Sequence, residues 1–464
     1  MTALLWYRRD LRVHDLPALR AALDDHDTVA PVFCFDDGLL KGRHASGNRT
    51  RFMLQCLADL EQALRDRGGA LYLRHGRPER ELRSLAAELG ASEVHYSRDV
   101  GPFSRRRAEA VRDALARDGI ALIGHPGLFV IDALDPVRTG AGKPYTVFTP
   151  FFRNWSAQPR REVIGAPRRI PAPDAPTDTG RLPSLADLGL QAEATDAAPG
   201  GEPEGRRALS RWINGAIGEY AEARNALGSE QASRLSPYLH LGCLSPREVE
   251  QRLPDGKGAA AWRRQLCWRD FYAHVLGHFP ANAKTEFQER YRGTIRWSHA
   301  EQRFAAWCDG RTGYPVVDAA MRQLRREGWM HNRARLIAGS FLTKDLGIDW
   351  RWGERWFMRQ LIDGDQASNN GNWQWIASVG VDPAPAFQRM FNPSLQQRRF
   401  DPDGRYVRRY VPELAAVPDE HLVEPWRMPE ALQEQVGCRI GRDYPEPMVD
   451  HRQAREEALA RYRV

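Results

Sequence analysis

Within the first 125 residues five short apolar runs alternate with four helix-length stretches, and after residue 206 that alternation stops, so no single structural class accounts for the whole chain. The runs are Leu4 to Tyr7, Val29 to Phe35, Ala70 to Leu73, Glu93 to Tyr96 and Ile120 to Ile123. They are short and partly β-branched or aromatic, the pattern of strands covered on both faces. Between them, Leu16 to Leu23, Arg49 to Arg67, Pro78 to Leu89 and Ser104 to Arg117 carry leucine and alanine at helical spacing. Such alternation predicts a doubly wound parallel-sheet α/β domain, placed over 1–128.

From Ser156 to Glu204 apolar periodicity fails, and prolines at 159, 167, 171, 173, 176, 183, 199 and 203 fix φ and remove backbone donors. This predicts an interdomain connector, 129–204, that crosses the surface as a stiff strap. The remainder, 205–464, reads as all-α. It holds twelve of the fourteen tryptophans, and a bulky ring whose N–H needs a partner when buried has to be explained.

Composition sets outer limits. With 42% hydrophobic and 27% charged residues the chain is an ordinary globular one, and no run of eighteen apolar residues predicts a membrane span. Arginines follow rather than precede the short apolar start, so a cytoplasmic protein is expected. Six cysteines lie far apart without a C-x-x-C pair, which argues against disulfides, zinc ribbons and iron–sulfur clusters, and no metal is expected. The net charge of +7 favours polyanionic partners.

Several segments carry candidate chemistry. Trp373 and Trp375 sit two apart, so on a helix one faces the core while the other lines a cavity. The preceding Asp363-to-Gly371 stretch, rich in carboxylates and amides, suits a helix start or a loop that hydrogen-bonds a heteroaromatic ligand. Ser233-Arg234-Leu235-Ser236-Pro237 offers two hydroxyls and a guanidinium ahead of a helix, a phosphate-binding arrangement or a plain cap. Gly328 to Arg335 places an amide, an imidazole and two arginines on consecutive positions read as helical, with His331 a candidate base or a simple hydrogen-bonding residue. No G-x-G-x-x-G, no P-loop and no nucleophile with a paired base occurs, which excludes a Rossmann fingerprint and leaves hydrolytic chemistry unsupported.

Taken together these segments resemble the photolyase/cryptochrome superfamily, and specifically the DNA photolyases of the class I, cyclobutane pyrimidine dimer type. The resemblance runs from Trp6-Tyr7-Arg8-Arg9-Asp10 to Asp443-Tyr444-Pro445-Glu446-Pro447 through Trp268-Arg269-Asp270-Phe271, Thr312-Gly313-Tyr314-Pro315 and Gly328-Trp329-Met330-His331-Asn332-Arg333. It implies a folded-back FAD in the helical half. Tyr220 and Ser233, Arg234, Leu235 and Ser236 would hold its phosphates and ribitol, with Trp262, Arg269 and Trp329 around the pocket. Arg335 and Asp345 would flank the isoalloxazine, Asp363, Gly364 and Asp365 would meet its polar edge, and Asn369 would face N5, a neutral amide that suits a reduced anionic flavin. Trp373, Trp350 and Trp297 match a chain that conducts an electron to the flavin.

The implied reaction is light-driven electron transfer to a dimer flipped out of damaged DNA, with no obligate protein partner and a monomeric enzyme. Trp268, Trp375, Gln265 and Asn332 match groups facing the dimer, and Arg224 and Arg333 match groups near the DNA backbone. Gln265 replaces a glutamate common in cyclobutane-dimer enzymes and is usual in (6-4) photolyases, whereas His331-Asn332 replaces the paired histidines of that type. Leu336 replaces a methionine often found beside the flavin-side arginine. A cryptochrome-like photoreceptor without repair activity is the other alternative. Arg98 to Phe103, with Asp99, resembles relatives whose antenna is 8-hydroxy-5-deazaflavin, with a methenyl-folate next.

Overall fold

The computed structural model describes residues 1–174, 177–229, 231–382 and 384–463, so Pro176 and the final Val464 lie outside the described residues. Strands β1 (Thr2–Tyr7), β2 (Thr28–Phe35), β3 (Tyr72–His75), β4 (Ala91–Ser97) and β5 (Ala121–His125) form one parallel sheet in the order β3-β2-β1-β4-β5. All five apolar runs are strands, because side chains of alternate parity feed two separate cores. Leu4, Trp6, Val32 and Val94 pack against Leu82, Leu85, Val111 and Leu115 of helices Pro78–Leu89 and Pro102–Ala116. Ala3, Leu5 and Phe33 pack with Ala18 and Leu19 of α1 (Pro17–Asp25) and with Leu57 and Leu60 of helix Gly47–Arg65.

Strand order reverses between β1 and β4. The loops leaving their carboxyl ends, which carry Arg9 and Asp99, therefore flank the position where doubly wound sheets bind ligands.

The stretch expected to be connector contains a helix, Phe148–Ala157, whose Phe151 and Trp155 are fully buried. From there to Gly201 the described chain is an extended strap without helix or strand. It is bonded rather than loose: Ile164 O accepts from Asp15 N (2.7 Å), Pro171 O from Val29 N (2.9 Å) and Thr179 O from Leu73 N (2.7 Å). Ile170, Leu188 and Ala194 bury their side chains along it. Asn48 pins its far end, accepting from Glu193 N (2.8 Å) and Ala194 N (2.9 Å) while donating to Gln360 O (2.9 Å) of the helical half.

Beyond Glu202 the described regular structure is helical. Its long elements are Glu202–Asn214, Lys257–His278, Pro315–Glu327, Asn332–Ser340, Trp350–Gln360, Gln366–Ile376 and His451–Arg461. One core, with Val317, Phe341, Phe357 and Tyr444, belongs to this half alone. Leu209, Trp212, Tyr238, Trp262 and Phe271 instead join the core beneath the sheet. Residues 328–331 are not helical as read from the sequence: Gly328, at φ +61°, ends one helix and His331 caps the next.

Gly47 touches the strap so closely that a Cβ there would sit 1.7 Å from Gln191 O, whereas one on Gly140 would meet nothing within 4 Å. Overpacking costs about 1–3 kcal/mol. Gly47→Ala is expected to lower the thermal unfolding midpoint and Gly140→Ala to leave it unchanged, as followed by circular dichroism.

Candidate functional site

A cavity of about 210 Å3 opens in the helical half, lined by Ser236, Trp329, Met330, Asn332, Arg335, Leu336, Phe357, Leu361, Asp363, Gly364, Asp365, Ser368, Asn369, Asn372, Trp373 and Ile376. Its polar edge is the Asp363-Gly364-Asp365 loop. Asp363 Oδ2 accepts from Ser236 Oγ (2.6 Å) and Arg335 NH2 (2.7 Å), and its buried Oδ1 has no partner. Ser236 Oγ also accepts from Trp329 Nε1 at 3.2 Å.

Asp365 is the N-cap of helix Gln366–Ile376, with Oδ1 accepting from Ser368 N (2.8 Å) and Oδ2 from Arg9 NH1 (2.8 Å). Burial opposes ionisation, yet the Arg9 guanidinium outweighs it and holds the carboxyl down to about 2. One turn on, Asn369 Nδ2 donates to Glu354 O (3.0 Å) and Glu354 Oε1 (3.2 Å), so its Oδ1 is the atom left for the cavity. Glu354 is buried, which raises its carboxyl. Nothing in the sequence pointed to it, because it acts on another helix fifteen residues away.

Arg335 and Asp345 do not come together. Arg335 pairs with Asp363, while Asp345, at the end of the π-helical turn after Asn332–Ser340, pairs with His451 and is absent from the cavity wall. A half-buried guanidinium takes the carboxylate within reach, and sequence order does not reveal which one that is. Burial and the neighbours Arg333 and Arg335 push His331 down to about 4, and its Nδ1 accepts from Arg333 N, the simple hydrogen-bonding role of a helix cap.

Of the residues expected at the phosphates, Ser236 lines the cavity, whereas Tyr220, Ser233 and Trp262 are absent from its wall and gather in a second cluster. Trp262 Nε1 donates to Ser233 Oγ (3.2 Å), and its ring lies 4.9 Å from Trp212, which meets Tyr220 edge-on at 5.7 Å. Trp212, unnoticed in the sequence, joins these groups, and its own Nε1 is buried without a partner. Leu235 is fully buried and offers only backbone, and Arg234 pairs with Glu327 at 2.8 Å. The helix that follows is only Ser236–Leu241 with proline in its first turn, so free N–H groups are fewer than the sequence suggested. Arg269 donates to Leu128 O (2.7 Å) and Leu239 O (3.3 Å), tying these segments together, and is absent from the cavity wall.

Trp268 and Trp375 are half-buried, each one turn from the close contact of Tyr272 with Gly371 that joins helices Lys257–His278 and Gln366–Ile376. Phe148 stacks on Trp268 at 3.7 Å and 2°, and Arg389 lies 4.1 Å over Trp375. One face of each ring is therefore backed by protein. Half-buried Gln265 precedes Trp268 by one turn, exposed Asn332 lies at the cavity, and Arg333 bonds Asn225 (2.9 Å) beside exposed Arg224.

Trp373 lines the cavity and Trp350 is fully buried, while Trp297 is partly exposed. Trp373 touches Gly353, one turn along from Trp350 on helix Trp350–Gln360, and Trp297 adjoins Ser298, which bridges to Ile348. Asp99 is held by its neighbours. It accepts from Arg9 Nε (2.9 Å) and NH2 (3.1 Å), Ser104 Oγ (3.0 Å) and Val100 N (2.7 Å), which fill its carboxylate.

Comparison with known proteins agrees over the whole chain. Residues 3–174 match the family model for DNA photolyase, and 262–464 match that for the FAD binding domain of DNA photolyase. The chain is 43% identical to a deoxyribodipyrimidine photo-lyase of Streptomyces griseus, covering 98% of this chain and 97% of that one. Its fold matches a bacterial class III photolyase from Agrobacterium tumefaciens (TM-score 0.92, 36% identity, 99% and 97% coverage). It also matches a cryptochrome from Synechocystis (TM-score 0.90, 31% identity, 99% and 98% coverage).

The donor set fits FAD. A partnerless carboxylate oxygen, a guanidinium, an amide oxygen and an apolar wall suit a heteroaromatic ring system carrying both N–H and C=O groups. Asp363→Asn removes the charge that Ser236 and Arg335 address. Hydrogen bonds to charged groups contribute about 1.5–3 kcal/mol, so flavin retention should weaken about 10- to 100-fold. Flavin absorbance per chain after purification measures this, and full occupancy would contradict it.

Proposed function

The chain belongs to the DNA photolyase family and its activity is that of a deoxyribodipyrimidine photo-lyase acting on damaged DNA; from that premise we propose that it repairs cyclobutane pyrimidine dimers. The observation carrying the proposal is the aromatic pair Trp268 and Trp375 set near a cavity that contains Asn332, Asn369 and no acid–base pair. Bound FAD in its reduced form supplies the photoexcited electron, so no general acid or base is required of the protein.

The chain's residues bind, orient and exclude water. Asp363 and Arg335 hold the polar edge of the ring system, and Asp365 fixes the helix that carries Asn369. With Nδ2 taken by Glu354, Asn369 presents an acceptor and no acidic proton. Trp373, Trp350 and Trp297 run from cavity to surface as the activation path. Tyr220, Ser233, Arg234, Leu235, Ser236, Trp262 and Arg269 are proposed for the phosphates and ribitol on resemblance, with Tyr220, Ser233 and Trp262 in the Trp212 cluster and Ser236 at the cavity wall.

A dimer must leave the duplex, which costs a few kcal/mol and least where damage has weakened stacking. Stacking returns about 1–3 kcal/mol per base, so Trp268 and Trp375 offset most of that cost. Gln265 and Asn332 address the dimer, and Arg224 and Arg333 the backbone. We read the protein as a class I, monomeric, cytoplasmic enzyme from its motifs.

An antenna is proposed for the carboxyl edge of β1 and β4, 8-hydroxy-5-deazaflavin first and a methenyl-folate second. Arg8 NH1, Arg107 Nε and Ser97 Oγ are buried there without partners, and Arg107 lies over Trp6 and Phe103, a donor set suited to an anionic heteroaromatic. Asp99, in the loop after β4, is proposed for that site on resemblance.

Illuminating the reduced protein with blue light on a thymine-dimer oligonucleotide should restore the thymines. Unchanged dimer content would favour the photoreceptor reading, and loss of (6-4) products instead would favour the type suggested by Gln265. Trp373→Phe should slow photoreduction of the oxidised protein greatly while chemically reduced enzyme still repairs, and equal loss of both would contradict the separate role of that ring.

A further inference from the structure

Far from the cavity, three imidazoles and a carboxylate gather on the α1 face of the sheet. His26 is the C-cap of α1. Glu93 and His95 alternate on β4 and so share a face, and His125 ends β5 beside Ser97. We propose that His26, Glu93 and His95 bind one divalent transition-metal ion of the zinc class, with His125 as the positioning residue for His95.

The geometry carries this. One ligand atom from each of His26, Glu93 and His95 falls within 4.8 Å of the others. Glu93 Oε2 lies 3.1 Å from His95 Nε2 and 3.7 Å from His26 Nε2. Tetrahedral zinc with bonds of about 2.0–2.2 Å keeps its ligand atoms about 3.3 Å apart, between those two spacings. The imidazoles are 1% and 4% exposed and Glu93 32%, so two ligands are held by packing and the third stands at the opening through which an ion enters.

A second observation concerns the far nitrogens. His95 Nδ1 lies 3.0 Å from His125 Nε2, with the rings nearly parallel at 8°. An Nδ1–H donated to His125 leaves the His95 Nε2 lone pair free toward Glu93, the tautomer a metal needs. His26 Nδ1 is buried without any partner, a cost that no neighbouring group offsets. Two imidazoles and one carboxylate select zinc, copper or nickel over magnesium and calcium, and three protein ligands leave a fourth position for water. The site escaped the cysteine-spacing argument because it uses no thiolate, and because His26 reaches Glu93 and His95 of β4 from the end of another element.

Metal-stripped full-length protein should take up one zinc per chain in calorimetry and in competition with a chromophoric chelator, and no magnesium. His26→Gln or His95→Gln should abolish that uptake, and Glu93→Gln should weaken it. His125→Ala should lower affinity about 10- to 100-fold with the ligands intact, and His125→Gln, which keeps an acceptor, should retain most of it. Cobalt substitution should give a tetrahedral absorption band that His125→Ala alters. Flavin content checks that each variant is folded. No stoichiometric zinc, or zinc that persists in the His26→Gln/His95→Gln double variant, would overturn the proposal.

Discussion

One guanidinium joins the two halves at the place where the chemistry is arranged. Arg9, in the loop after β1, gives Nε and NH2 to Asp99 and NH1 to Asp365. The set is half-buried and each carboxylate is further bonded by backbone N–H groups, so it is held more firmly than an exposed surface ion pair. Asp365 is also the cap of helix Gln366–Ile376, and the rotational setting of Asn369, Trp373 and Trp375 follows from where that helix begins. Other buried ties assist. Asp270 accepts from Val130 N and Trp155 Nε1, and Arg12 donates to Gly127 O and Gly242 O.

Periodicity made the elements legible because the three central strands β2, β1 and β4 are covered on both faces by the two cores. Helix Pro78–Leu89 begins and ends where its sequence says, at a first-turn proline and at Gly90 in the left-handed region. The strap was legible only as a lack of pattern. Ile170 and Ala194 are buried singly, each by a different neighbour, and isolated burial leaves no period to detect.

The site was legible as a set of residue types and less so as a set of partners. The Asp363 to Asn369 segment lines the cavity as its composition suggested, but the pairing of Arg335 with Asp363, and of Asp345 with His451, is decided by tertiary placement. Glu354 illustrates the same limit: it orients Asn369 from a different helix and carries no local signature. The tryptophans divide in a way that their number alone conceals. Trp155 and Trp307 are fully buried with their N–H groups given to Asp270 and Ala338 O, which is ordinary core use, whereas Trp268 and Trp375 keep part of their surface open.

The core beneath the sheet is completed by Leu209, Trp212, Tyr238 and Phe271 from the helical half. A ribosome releasing this chain exposes the sheet's greasy underside well before those residues emerge, and the strap that could cover part of it arrives in between. The nascent polypeptide therefore passes through an interval in which its first half is sticky and unfinished, and chaperones, slow elongation or the strap itself must shield it until the second half docks.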